Sequence, residues 1–207
     1  MGINERKDKQ KAELKQQILD ASAKLFSEHG YQGVTIRKIA NIIEYSPTTV
    51  YLYFKDKNEI LFELHQIGFE KFEAFNKDLF DIKNPLLQLH KLGENYIRFG
   101  LQNPEYYDLM FLMPAPIDFI NKVKNCDWTG GDKALKTLIS ILQECIDKKL
   151  IVPADVNTMA MAIWSMVHGL VSLVIRKRYE KLVDEKDIIP TMYKSLNWLI
   201  NSIDNNQ

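Results

Sequence analysis

Between residues 35 and 54 the chain reads TIRKIANIIEYSPTTVYLYF, and helix-start signals recur there too closely for any long element to pass through. Thr35 offers a hydroxyl to the free amides of one helix start. Ser46 followed by Pro47 offers a second, because proline's missing donor costs nothing in a first turn. Asp56 with Glu59 has the form of a capping box, so another helix opens directly afterwards. Ile36, Ile39, Ala40 and Ile43 recur at helical spacing between the first two signals. The stretch is therefore predicted to be two short helices joined by a tight turn. Placing residues at about 100° per step divides the helix from Pro47 to Phe54 into faces. Pro47, Val50 and Phe54 share an inward side, Thr48, Thr49 and Leu52 the opposite side, and Tyr51 and Tyr53 the flanks. Small hydroxyls edged by phenols suit a DNA major groove, where threonine meets base edges and tyrosine meets phosphates. Arg37, Lys38, Lys55 and Lys57 stand near helix starts whose free amides also attract phosphate.

The rest of the chain carries the same periodicity. Leu14, Ile18, Ala21, Leu25 and Phe26 mark a helix over residues 12–29, with Gly30 as its stop and Tyr31 to Gly33 as a loop. Ile60, Leu61, Leu64, Ile67 and Phe72 carry a helix to about Phe80, and Asn84-Pro85 and Asn103-Pro104 punctuate the chain beyond it. Leu86, Leu89, Leu92 and Tyr96 lie between those breaks. Tyr106 to Met113 reads as a short aromatic helix, Thr129-Gly130-Gly131 as a turn, and Leu135 to Ile146 as another helix. No useful strand alternation appears, so the fold class is all-α. From Met159 to Ile175 apolar residues cover every side, which asks for burial on more than one face. The final helix has Ile189, Tyr193, Leu196, Ile200 and Ile203 at steps of four and three, a seam for another helix. Together they point to a homodimer formed through the last two helices.

Composition narrows the function classes. The 207 residues are 46% hydrophobic, and Lys plus Arg equals Asp plus Glu at 27 each. A core is affordable, and any affinity for nucleic acid must come from local charge. The polar leader MGINERKDKQKAELK is not a secretory signal, and the apolar run at Met159 reads as a buried helix rather than a membrane span, so a cytoplasmic protein is expected. Arg6, Lys7, Lys9, Lys11 and Lys15 outnumber the leader's acids, which fits an arm along DNA or a solvated tail. Cys126 and Cys145 lack metal-ligand spacing and read as a loop thiol and a buried thiol. No nucleophile elbow, phosphate loop, dinucleotide fingerprint or zinc motif is present, so no enzyme, cofactor or metal is expected.

Gly33-Val34-Thr35, Ile39-Ala40, Ser46-Pro47, Thr49-Val50-Tyr51, Tyr53-Phe54 and Lys57 with Glu59 through Leu61 resemble the N-terminal domain of the tetracycline-repressor (TetR) family of transcription regulators. Trp164, His168 and Gly169 in WSMVHG look like the Trp-His-Gly signature of one of the family's C-terminal domain types. The resemblance implies a three-helix helix-turn-helix DNA-binding domain over residues 1–58. A helical effector-binding and dimerisation domain over 59–207 would follow. It implies that Ser46, Pro47, Thr48 and Tyr51 approach bases, while Thr35, Arg37, Thr49, Tyr53 and Lys57 hold the backbone of a palindromic operator. Where the family commonly has a glycine in the turn, this chain has Glu44. Either the second helix ends without a left-handed residue or Glu44 adopts that conformation.

For a small, mainly apolar or aromatic effector that releases the operator, the candidate residues are Tyr96, Phe99, Tyr106, Tyr107, Met110, Phe111, Trp128, Trp164 and His168, with Met113 beside them. His168 is expected to be a hydrogen-bonded packing residue. The competing readings are a helical enzyme with dispersed catalytic residues and an interaction module that no longer binds DNA.

Overall fold

The computed structural model describes residues 2–114 and 129–205. Its helices are α1 (Ile3–Gly33), α2 (Ile36–Ile42), α3 (Pro47–Tyr51), α4 (Lys57–Phe75), α5 (Pro85–Gln102), α6 (Pro104–Tyr107), α7 (Thr129–Asp147), α8 (Val156–Ile175) and α9 (Glu185–Ile203). Short 3-10 turns at Leu79–Asp81 and Tyr179–Lys181 and a π-helical turn at Asp108–Leu112 complete the list, and the described residues contain one isolated β-bridge, Ile151 to Asp204. The fold is all-α, as the periodicity implies. By packing, the chain divides into two units: Met1–Gly68 with Glu105–Asp127, and Phe69–Pro104 with Trp128–Gln207.

In the first unit, Ile18, Phe26, Ile39, Val50, Phe54, Ile60 and Leu64 form one apolar core, which Leu109 and Met113 from the later segment join. α1 is longer than the expected 12–29: it begins at Ile3, where the Gly2 amide donates to Glu5 Oε2 at 2.7 Å. Gly30 does take a positive φ of 66°, but its ψ of 172° makes a kink rather than a stop. The chain then completes one more helical turn through Tyr31 to Gly33, where a loop was expected. Only glycine enters that backbone region at little cost. The stretch from Tyr106 to Met113 is likewise no single helix. α6 ends at Tyr107 and the backbone widens into the π-helical turn, with the Met113 amide donating to the Asp108 carbonyl at 2.8 Å.

In the second unit, α5 packs against α7, α8 and α9. α7 opens at Thr129, so Thr129-Gly130-Gly131 is a helix start and not a turn; a side chain on Gly130 would stand 2.5 Å from the Phe69 ring. α8 buries one face, Ala160, Ile163, Val167 and Val171, and leaves Met161 and Leu173 exposed. Its apolar composition is therefore not matched by burial within one chain. The seam expected on the last helix also needs correction. Leu196 and Ile200 are 0% exposed and join Ile188 and Met192 in an inward stripe. Leu196 lies against Gly93 of α5, where an added Cβ would meet its Cδ1 at 2.6 Å. The outward face carries Ile189 and Trp198, the latter 71% exposed.

Candidate functional site

Each short helix of the first unit is held at its start by its own side chain. The Lys38 amide donates to Thr35 Oγ1 at 3.2 Å, and the Thr49 amide donates to Ser46 Oγ at 3.1 Å, with Pro47 in the first turn. Asp56 Oδ1 accepts from the amides of Asn58 and Glu59, while Glu59 Oε2 reaches back to the Lys55 amide at 2.6 Å. These bonds satisfy donors that a helix end otherwise leaves open, and fix short elements that could not persist alone.

α2 closes on Glu44. Its φ is 60°, the Glu44 amide donates to the Asn41 carbonyl at 3.3 Å and the Tyr45 amide to the Ala40 carbonyl at 3.0 Å. That is the paired-bond closure usually built on glycine, here made by a residue with a Cβ. Of the alternatives the sequence leaves open, the left-handed glutamate is the one adopted. Lys149 and Lys177 close α7 and α8 in the same way.

α3 presents the faces the helical wheel assigns at every outward position but Thr49, which is half-buried. Val50 and Phe54 are buried, whereas Thr48 is exposed, Tyr51 is 56% exposed and Leu52 77%. The helix ends at Tyr51, so Leu52 occupies its C-cap and Tyr53 and Phe54 follow in a turn. Thr49 is half-buried, its hydroxyl 2.9 Å from that of Ser46. Thr35 and Arg37, at the start of α2, are exposed, and Tyr53 is half-buried.

Lys57 has a structural role that spacing did not reveal. Its ammonium donates to the carbonyls of Tyr31 at 2.9 Å and Val34 at 3.2 Å, and lies 3.9 Å above the Tyr31 ring. Burial there lowers its pKa. Lys38 Nζ donates to the Gly33 carbonyl at 2.7 Å, so cations from α2 and α4 converge on the end of α1, where the helix dipole favours them. Tyr31 stacks on Phe26, and its hydroxyl donates to Asn58 Oδ1; burial and then the Asp56 charge raise its pKa. Nothing in the local sequence marks this lock, because its partners are far apart in the chain.

The residues expected around an effector are distributed over both units. Tyr106, Tyr107, Met110 and Phe111 belong to the first, where Tyr107 and Phe111 pack with ring centroids 5.0 Å apart. Burial, then Asp20 and Glu105, raises the pKa of Tyr106. Tyr96, Phe99, Trp164 and His168 belong to the second; Trp128 lies outside the described residues, as does Cys126. In the second unit Trp164 Nε1 donates to Tyr96 Oη at 3.1 Å, and Tyr96 Oη lies 3.3 Å from His168 Nδ1. Burial lowers the His168 pKa, which favours the neutral imidazole. Phe72 meets Tyr96 edge-on at 5.7 Å and Phe99 at 5.3 Å. Cys145 is buried and its thiol is pushed up to about 11, which makes it inert packing. Among the described residues no cluster of His, Cys, Asp and Glu could hold a metal ion.

Residues 18–64 match the family described as bacterial regulatory proteins, tetR family, and residues 89–193 match the tetracyclin repressor-like C-terminal domain. The chain is 29% identical over 122 residues to an uncharacterized HTH-type transcriptional regulator of Haemophilus influenzae, covering 57% of this chain and 65% of that protein. It is 26% identical over 174 residues to the HTH-type transcriptional regulator AcrR of Shigella flexneri, covering 81% and 79%. Among solved structures, AibR in complex with isovaleryl coenzyme A and operator DNA superposes with a TM-score of 0.65 at 19% identity, covering 76% of this chain and 85% of that one. That likeness concerns the fold.

Proposed function

Because the chain belongs to the tetracycline-repressor family of transcription regulators, we propose that it is a ligand-responsive repressor that binds a palindromic operator as a cytoplasmic homodimer. The observation that carries this reading is the outward side of α3. Thr48, Tyr51 and Leu52 stand exposed on a helix locked by Ser46, Pro47, Val50 and Phe54. A face kept free of Lys and Glu on so exposed a helix has no use in folding, and its hydroxyls and phenol match base edges and phosphates. Ser46, Pro47, Thr48 and Tyr51 approach bases in this reading. Thr35, Arg37, Thr49, Tyr53 and Lys57 hold the backbone.

Dimerisation through α8 and α9 is supported by what one chain leaves uncovered: Met161 and Leu173 on one, Ile189 and Trp198 on the other. A small effector with a largely apolar or aromatic body, taken up near Tyr96, Phe99, Trp164 and His168, would shift the population between different separations of the two α3 helices. Only a spacing near ~34–36 Å lets both enter successive major grooves. An effector that binds both states equally would release nothing. That AibR was solved with both an acyl-coenzyme A and operator DNA supports this kind of coupling. The regulators among the relatives favour it over an enzyme.

The test is a mobility shift with the promoter beside the protein's own gene. A discrete complex of two chains, lost when either half of the palindrome is scrambled, is expected. Binding that ignores the palindrome would remove the operator reading.

A further inference from the structure

We propose that Arg98 receives the anionic end of the effector, a carboxylate or a phosphate carried on an apolar body; the proposal rests on the reading of the second unit as effector-binding. A directed chain of side-chain amides leads to this residue. Asn76 Nδ2 donates to the Phe72 carbonyl at 3.0 Å, Asn95 Nδ2 donates to Asn76 Oδ1 at 3.0 Å, and Arg98 Nη2 donates to Asn95 Oδ1 at 3.0 Å. The carbonyl at the start can only accept, which fixes the orientation of both amides and leaves Asn95 Oδ1 to accept from a donor at the end. Arginine is such a donor, and one bond of its fork completes the chain.

Asn95 is 2% exposed, so a buried amide is spent on orienting an exposed guanidinium. The guanidinium also lies 5.2 Å from the centroid of Phe75, whose ring meets Phe99 edge-on at 5.6 Å. Hydrogen bond and ring together hold the fork in one plane. Among the described residues the arrangement lacks a counter-charge. Glu94, one turn earlier on α5, pairs with Lys91 at 3.8 Å, Glu73 pairs with Lys133 at 2.5 Å, and no ion pair among the described residues engages Arg98. A planar fork with unused parallel donors beside aromatic rings fits a carboxylate or phosphate in two-point contact, with the ligand's apolar part against Phe75.

Calorimetric titration of the full chain with octanoate, octyl phosphate and octanol tests this, since the three probes share a tail and differ in the head. The preferred anion should bind at least about tenfold more tightly than the alcohol, the worth of one charge-assisted pair. Whether that is octanoate or octyl phosphate identifies the source of the charge. Arg98→Gln should bring it to the level of the alcohol, and Arg98→Lys should recover part of the difference. Equal affinity for anions and alcohol in the unmodified chain, or no binding of either anion, overturns the proposal. So does an Arg98→Gln chain of unchanged melting temperature that keeps the preference. A parallel mobility shift separates the two readings. Arg98-dependent anion binding without an operator complex leaves the site standing and removes the regulator, whereas an operator complex without anion preference removes only the site.

Discussion

The two units solve opposite problems. In the first, the polar groups that matter lie at helix ends and on the outside: Thr35, Ser46 and Asp56 cap, Lys38 and Lys57 close α1, and α3 turns Thr48 and Tyr51 to solvent over an apolar core. In the second, Asn95 is buried in a chain of side-chain amides and Tyr96 joins Trp164 to His168, while Met161, Leu173, Ile189 and Trp198 are left outside; buried polar residues also occur in the first unit, at Ser22, His65 and Asp108. A surface for a polyanion needs rigid short elements and an exposed face. On the proposed reading, the second unit takes in a small molecule and a second copy of itself, for which linked polar side chains within and apolar area without are suited. The same chain composition thus serves both.

The largest test of that contrast is made at two residues of α9. Leu196→Asp places a charge against Gly93 in a fully buried site and should cost on the order of 4 kcal/mol in urea unfolding. Trp198→Glu should leave each chain folded and move sedimentation from dimer to monomer; a persistent dimer would take α9 out of the interface. Next in size is acid sensitivity. Burial lowers the His65 pKa from 6.5 to about 4. As pH falls below 6.5 the unfolded chain takes up a proton that the folded chain refuses until about 4, so stability present at neutral pH is lost across that window. The loss should reach about 3 kcal/mol by pH 4 and be absent from His65→Phe. His168 in the second unit shifts the same way, so His168→Phe should remove a separate part of the acid effect.

A smaller effect should separate readout from positioning within the first unit. Thr48→Ala is expected to cost about 1–3 kcal/mol at the operator and little on random DNA. Lys57→Ala should weaken both, reduce the salt slope by about 0.9 if the ammonium neutralises a phosphate, and also lower the melting temperature through the lost bonds to Tyr31 and Val34. An unchanged slope with a lowered melting temperature would make Lys57 a structural tie alone. Smallest is Glu44→Gly, which relieves a left-handed Cβ and should stabilise the chain by about 1 kcal/mol.

Legibility follows the same division. Thr35, Ser46-Pro47 and the faces of α3 could be read directly, because caps and helical wheels depend on neighbours within a turn. The seam on α9 could not, since Ile188 and Met192 complete its stripe and α5 and α8 cover it. The spread of the aromatic residues over both units, the lock at Lys57 and the chain ending at Arg98 were equally invisible for the same reason.

By itself, then, the sequence determined the helix starts at Thr35, Ser46 and Asp56, the all-α class and that Thr48, Tyr51 and Leu52 face out, since hydrogen bonds and periodicity within a few residues decide these. Only the tertiary structure decided that Glu44 takes a left-handed backbone, that Leu196 faces inward and that Arg98 ends a buried chain of amides. Each depends on partners that backbone closure or packing must first bring together, and no spacing along the chain encodes that meeting.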